Sequence, residues 1–214
     1  MKPLAVFYHC KLSGEGIPSP DFAESIMCSQ MYALNQSGLS EAASEIHIGV
    51  NGDDCDAMTA CSLAPSKSVV HAHGKQSRTE IPTQKILRSW LPGHEDWYVL
   101  YHHIKGVTHP GDVNYQRWRE NMEKVCVWGW RDCISNLDSG FDAAGAHWLT
   151  PEKYPSTVNS PFFGGTFWWT TVRYLMQLPD LMEPTWQNRF DAEGWIGKRR
   201  PYPRVMDYLP CWPI

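Results

Sequence analysis

Four short segments of this sequence close an apolar run with residues that can do chemistry: His9-Cys10, Asn51-Gly52-Asp53-Asp54, His71-Ala72-His73 and His102-His103-Ile104-Lys105. An imidazole titrates near neutrality, and a lysine is a point charge with three donors that suits a phosphate. Lys105 therefore reads as a contact for a diphosphate, or else as a solvated loop cation. His103 reads as a residue that orients a phosphate or a substrate hydroxyl, or else as a polar strand end. Asp191 and Glu193 lie two positions apart beside Trp195. Such a pair supplies a general base for a hydroxyl, or simply acids at the positive end of a helix. In Gly164-Gly165-Thr166-Phe167-Trp168-Trp169, paired glycines let backbone approach a ligand, and the aromatics after them either stack on a sugar or fill a core. A basic run from Lys198 to Arg200, with Arg204, is a solvated face or a track for phosphates.

Other chemistries lack their supports. The chain has no phosphate-binding G-x-x-x-x-G-K-[ST], no G-x-G-x-x-G after its first apolar run and no G-x-S-x-G. Kinase, dinucleotide-dependent dehydrogenase and α/β-hydrolase readings fall with them, and no cysteine-protease signature surrounds Cys10. His71 with His73, and Asp53, Asp54 and Asp56, lack the spacings of a zinc site or a calcium loop. No resident metal is expected, while Mg²⁺ or Mn²⁺ arriving with a nucleotide stays open.

The elements that position these residues follow from hydrophobic periodicity. Leu4 to Tyr8 reads as a buried strand, a loop spans Ser13 to Pro20, and a helix opens at Asp21, with Glu24 in capping-box spacing. Glu45 to Val50 is a second strand, residues 53–67 read as loop, and Ser68 to Ala72 as a third strand. A helix begins near Pro82 and stops at Pro92-Gly93, before the strand Trp97 to Tyr101. One long helix is expected from about Tyr115 to Leu137, then a strand from Ala143 to Trp148, then an aromatic segment from Phe162 that turns helical before Pro179. Strands alternating with helices predict an α/β fold with a mostly parallel sheet, whose ligands bind at the carboxyl ends of the strands.

Composition agrees with one globular domain. The chain has 214 residues, 43% hydrophobic and 20% charged, with a net charge of -4 that argues against tight binding to duplex DNA. Seven cysteines without a C-x-x-C, no signal-peptide pattern and no membrane-length apolar run point to a cytoplasmic protein. All 11 tryptophans lie between Trp90 and Trp212, so the second half holds either a tryptophan-rich core or stacking platforms.

Several of these segments occur together in a known group. Phe7-Tyr8-His9, Gln36 to Leu39 before Ile46 to Val50, Glu80-Ile81-Pro82-Thr83 and Tyr98 to Gly106 lie in the first half. Trp118-Arg119, Phe163 to Trp169, Leu178-Pro179 and Arg189 to Ile196 follow in the second. In this order and spacing the chain resembles small GT-A-type glycosyltransferase-like proteins of polysaccharide gene clusters and viruses, and is distantly similar to rhamnan-synthesis F-type proteins. The resemblance implies one GT-A-like domain, with residues 1–106 as the nucleotide-binding half and 107–214 as the acceptor and catalytic half. It implies transfer of a sugar from UDP or another nucleoside diphosphate to an acceptor hydroxyl, with inversion. Glu193 is then the base, with Asp191 in reserve. His9, Asn51, Thr83, His103, Lys105 and Arg204 are on the donor side, and Gly164, Gly165, Thr166, Trp168, Trp169 and Trp195 on the acceptor side. GT-A enzymes usually hold a divalent metal on a D-x-D at the place taken here by His103-Ile104-Lys105, so Lys105 stands in for the metal. Relatives often carry a C-terminal histidine where this chain has Arg204 to Tyr208, which nominates Arg204 as the replacement. The acceptor is expected to be a saccharide. Transfer to a hydroxymethylated pyrimidine in phage DNA and a non-catalytic carbohydrate-binding module are the alternatives.

Overall fold

The computed structural model describes residues 2–74, 79–152, 160–181 and 192–209. Its centre is a seven-stranded sheet that begins with β1 (Leu4–Cys10), β2 (Glu45–Val50), β3 (Ser68–Ala72) and β4 (Tyr98–His103). It is completed by β5 (Ala143–Gly145), β8 (Trp168–Thr171) and β9 (Val205–Asp207), while β6 (Trp148–Leu149) and β7 (Phe162–Phe163) form a separate two-stranded pair. The strand order is β3-β2-β1-β4-β8-β5-β9, and only β8 runs antiparallel to its neighbours. The expected α/β architecture with a mostly parallel sheet is therefore present.

Both faces of the sheet are covered, which is why β1 is buried at every position. Alternation along β1 sends Leu4, Val6 and Tyr8 into one core and Ala5 and Phe7 into the other. The first core lies under α1 (Pro20–Gln36), α3 (Asp54–Leu63), α5 (Val113–Glu123) and α6 (Trp130–Asp138). The second lies under α4 (Ile81–Trp90), α7 (Val172–Leu175) and a short 3₁₀ turn, Gly194–Gly197. A four-residue helix, α2 (Leu39–Ala42), links α1 to β2.

Several elements differ from the expected ones, among them the strand expected from Ala143 to Trp148, which ends at Gly145 and leaves Trp148 to β6. The first helix is capped by Ser19, whose hydroxyl accepts from the Phe22 amide at 3.2 Å, because Pro20 already supplies the fixed φ of a first helical residue. Residues 53–67 are not loop throughout. Asp53 and Asp56 form a reciprocal capping box that starts α3, a helix that buries only Asp56 and Ala60 and has no apolar stripe to read. The acidic cluster is thus a helix start. The long helix breaks at a π-helical turn, Lys124–Trp128, before Gly129. A side chain at Gly129 would stand 2.9 Å from the Val125 carbonyl, so only glycine fits the break. Among the described residues no helix is long and apolar enough to cross a membrane.

Candidate active site

β1, β2 and β4 run parallel in register, with His9 beside Gly49 on one side and His103 on the other. Gly49 leaves a gap that α4 fills: a Cβ there would lie 1.9 Å from Thr83 Oγ1. This close approach brings the Thr83 hydroxyl to 2.8 Å from His9 Nδ1 and 3.2 Å from His73 Nε2. Asn51 donates its amide to the Thr79 carbonyl at 2.9 Å, which fixes the amide's orientation. The same amide nitrogen lies 3.4 Å from His9 Nε2, so that ring nitrogen accepts. His9 therefore carries its proton on Nδ1, donates to Thr83, and Thr83 donates to His73. Burial drives His9 to a pKa of about 3 although Glu80 pulls upward, with His103, His73 and Lys11 also pressing it down. His9 is a neutral, fixed ring.

Above these strand ends lies an open cleft of about 510 Å³, a volume suited to a small-molecule ligand. His9, Asn51, Glu80 and His103 line it below, the β1–α1 loop from Lys11 to Ile17 borders it, and the β4–α5 loop from Ile104 to His109 and Tyr115 form a further wall. Glu80 Oε1 lies 2.9 Å from His103 Nδ1. Burial would raise the Glu80 carboxyl, but the charge and hydrogen bond of His103 outweigh it and hold Glu80 below its usual range. Glu80 is thus an ionised, buried carboxylate.

The wall that carries Lys105 is held from beneath. Tyr8 donates to Gln30 at 2.7 Å, and the Gln30 amide reaches Glu123 at 3.0 Å and the His103 carbonyl at 3.3 Å. Arg119, 3.7 Å from Glu123, donates to the Lys105 carbonyl at 3.0 Å. Gly106, at φ +84°, lets the chain turn where a Cβ would press to 3.2 Å from the Arg119 guanidinium. The Lys105 ammonium lies 3.9 Å from the centre of the Trp118 ring.

Ala192 and Glu193 also line the cleft. Gln84 of α4 donates to the Ala192 carbonyl at 2.9 Å. Close packing fixes the turn that follows: a Cβ at Gly194 would meet Ser160 Oγ at 2.5 Å, and one at Gly197 would meet the Pro161 carbonyl at 1.8 Å. Glu193 is therefore carried on a tightly seated segment. Asp191 lies outside the described residues.

Of the expected site residues, His9, Asn51, His103, Lys105 and Glu193 meet in this cleft. Thr83 stands behind it as the partner of His9 and His73. The expected acceptor-side residues lie elsewhere, away from the cleft lining. Trp168 and Trp169 alternate on β8 and fill opposite cores, Trp168 stacked on Tyr101 and Trp169 donating to the Cys126 carbonyl at 2.7 Å. Trp195 is buried too and donates to the Pro179 carbonyl at 2.9 Å. A strand covered on both faces has no exposed side to offer a sugar. Gly164, Gly165 and Thr166 form a buried turn, with Thr166 at φ +56°. A Cβ at Gly165 would meet Met122 Sδ at 2.6 Å, and the Gly164 carbonyl accepts from Trp118 at 3.2 Å, so these glycines serve packing on α5.

Arg204 also lies away from the cleft lining. It precedes β9, whose Val205 pairs with Ala143 at the amino end of β5, on the edge of the sheet opposite the cleft. Its guanidinium lies over Phe141 at 4.2 Å. Within the same basic run, Arg199 pairs with Asp142 at 2.7 Å. The residues that sequence reasoning missed are Glu80, Lys11 and Tyr115. Glu80 was visible only as part of the Glu80-Ile81-Pro82-Thr83 segment, with no role attached to it.

Among the described residues no group of three or more histidine, cysteine, aspartate or glutamate side chains is arranged to hold a metal ion. The rim after β4 offers an ammonium and an imidazole already engaged by Glu80, a donor set that does not fit a divalent cation.

No family model matches the chain, and no curated protein matches it. Among solved structures, it is similar to the crystal structure of a protein from Desulfovibrio desulfuricans G20 that is provisionally named a nucleotide-diphospho-sugar transferase. The identity is 13% and the TM-score 0.55, over 98% of this chain and 80% of that one. The likeness shows that this chain has the nucleotide-diphospho-sugar transferase fold.

Proposed function

We propose that this protein is a cytoplasmic glycosyltransferase that moves a sugar, as a hexosyltransferase would, from a nucleotide-sugar donor to the hydroxyl of a saccharide. The observation that carries the reading is the cleft at the strand ends, which joins a lysine and a histidine after β4 to a carboxylate at Glu193. The shared fold supports a nucleotide sugar as the donor. On this reading the chain is one domain, with residues 1–106 holding the donor and 107–214 supplying acceptor side and base.

The chemistry follows from the charges. Departure of a nucleoside diphosphate leaves negative charge on the phosphate oxygen, and Lys105 neutralises it electrostatically, with no divalent ion needed. Glu193 takes the proton of the acceptor hydroxyl, whose oxygen attacks the anomeric carbon from the face opposite the leaving group and inverts it. His9 and Asn51 are rigid polar contacts for the nucleoside. The competing readings lack local support. Arg199 is ion-paired with Asp142 and Arg204 is on the far edge, which takes two of the four basic residues away from a track for DNA. Trp168, Trp169 and Trp195 are core residues and so offer no stacking face to a binding module.

Glu193→Gln should lower kcat by about 10²-fold or more while donor affinity stays within about 3-fold, the pattern of a lost general base. Transfer assays and donor titrations on the wild type and variant test this. An undiminished kcat in the variant removes Glu193 from the mechanism.

A further inference from the structure

Within the cleft, His9 and His103 are arranged differently. Both nitrogens of His9 are engaged, by Thr83 and Asn51. His103 gives Nδ1 to Glu80 at 2.9 Å, and its Nε2 has no hydrogen-bond partner among the described residues. The ring is held in place by its surroundings. Phe167 packs edge-on at 6.0 Å, and Gln30 binds the His103 main-chain carbonyl at 3.3 Å. A buried, ionised carboxylate on Nδ1 does two things to an imidazole: it fixes the ring and its tautomer, and it stabilises the ring once protonated. The remaining nitrogen, buried and unpartnered on a residue that lines the cleft, is the one left to meet a ligand.

Resting on the transferase reading above, we propose that His103, positioned by Glu80, is the general acid for the departing nucleoside diphosphate. The step balances as follows. The acceptor oxygen forms its bond to the anomeric carbon and loses its proton to Glu193. The bond from that carbon to the diphosphate oxygen breaks, and its electron pair goes to that oxygen. The oxygen takes the Nε2 proton of the His103 imidazolium, which becomes a neutral ring whose Nδ1–H still donates to the Glu80 carboxylate. Solvent restores both groups to their starting charge. Lys105 supplies charge without giving up a proton, and His103 supplies the proton. Glu80 is a positioning residue, because it acts only through His103.

The test uses the intact protein with a panel of UDP-, GDP- and dTDP-hexoses as donors and simple alkyl glycosides as acceptors, reading nucleoside diphosphate release. His103→Gln is expected to lower kcat by about 10²-fold or more, with donor KM within about 3-fold of wild type. Glu80→Gln should lower kcat by about 10-fold or more with the same unmoved KM. Imidazole added in solution should restore turnover to His103→Ala and leave Glu193→Gln unchanged, a difference that a purely structural role of His103 does not produce. If His103→Gln does not fold, the Glu80→Gln and imidazole measurements carry the comparison alone. Wild-type rates in His103→Gln, a rise in KM with kcat unmoved, or no rescue by imidazole overturns the proposal while leaving the transferase reading standing. Absence of turnover by the wild type with every donor overturns both.

Discussion

At the carboxyl edge of the sheet, two neighbouring regions are built from opposite materials. Where β1, β2 and β4 end, His9, Asn51, Glu80 and His103 are packed into a polar layer under an open cleft. One strand further on, β8 begins after a glycine turn, and Phe167, Trp168 and Trp169 are sealed in the cores. The first region invests in fixed dipoles and hydrogen bonds, the second in apolar area. The difference is one of cover. β8 is sandwiched between β4 and β5 with protein on both faces, whereas the ends of β1, β2 and β4 open into the gap between two loops. Polar side chains are rigid there because each is tied to a neighbour, and rigidity of this kind is what a site that stabilises developing charge requires.

The comparison is easiest to break with acid. His9 and His102 are buried, and burial brings each to a pKa of about 3. The unfolded chain takes up these protons near pH 6.5, while the folded one stays neutral. Stability is therefore complete above about pH 6.5 and falls as the pH drops toward 3, by at most about 1.4 kcal/mol per unit for each ring. Urea midpoints measured from pH 7.5 down to 4.5 should decline steadily below 6.5. A flat profile down to pH 5 would show that these rings are not held neutral.

A second test separates packing from chemistry. Trp169→Ala empties a fully buried site and strands the Cys126 carbonyl, so it should cost about 3–5 kcal/mol in denaturant unfolding. A loss under about 1 kcal/mol would mean the ring is not core. Smaller still is Gly49→Ala. The added methyl must displace Thr83 from its place between His9 and His73, which should cost about 1–3 kcal/mol and weaken nucleotide binding in the same protein. Unchanged stability and binding would contradict the tight fit of α4 on β2.

Much of the fold was legible because its signals are local. The buried strand from Leu4, the alternating Glu45 to Val50 and the proline that opens α4 all carry their own periodicity or cap. α3 was not legible, since it buries little beyond Asp56 and Ala60. At the site, strand ends alone pointed to His9, Asn51, His103 and Lys105. Two things could not be read. A tryptophan that stacks on a ligand and one that fills a core look alike until the neighbours of β8 are known. Glu80 could not be paired with His103 either, because the contact joins residues 23 positions apart through the packing of α4 on the sheet.

The central claim is that the cleft binds a nucleotide sugar through Lys105. Its most direct test is a thermal-shift panel of nucleotide sugars with Mn²⁺ and with chelator, on the wild type and Lys105→Ala. At about 100 times its Kd, the right donor should add roughly 2.7 kcal/mol, a shift of several degrees for a chain of this size. The account predicts such a shift for one donor, unchanged by chelator and reduced at least about 10-fold in apparent affinity by Lys105→Ala. No shift with any donor, or one that requires Mn²⁺ and ignores Lys105, would contradict it.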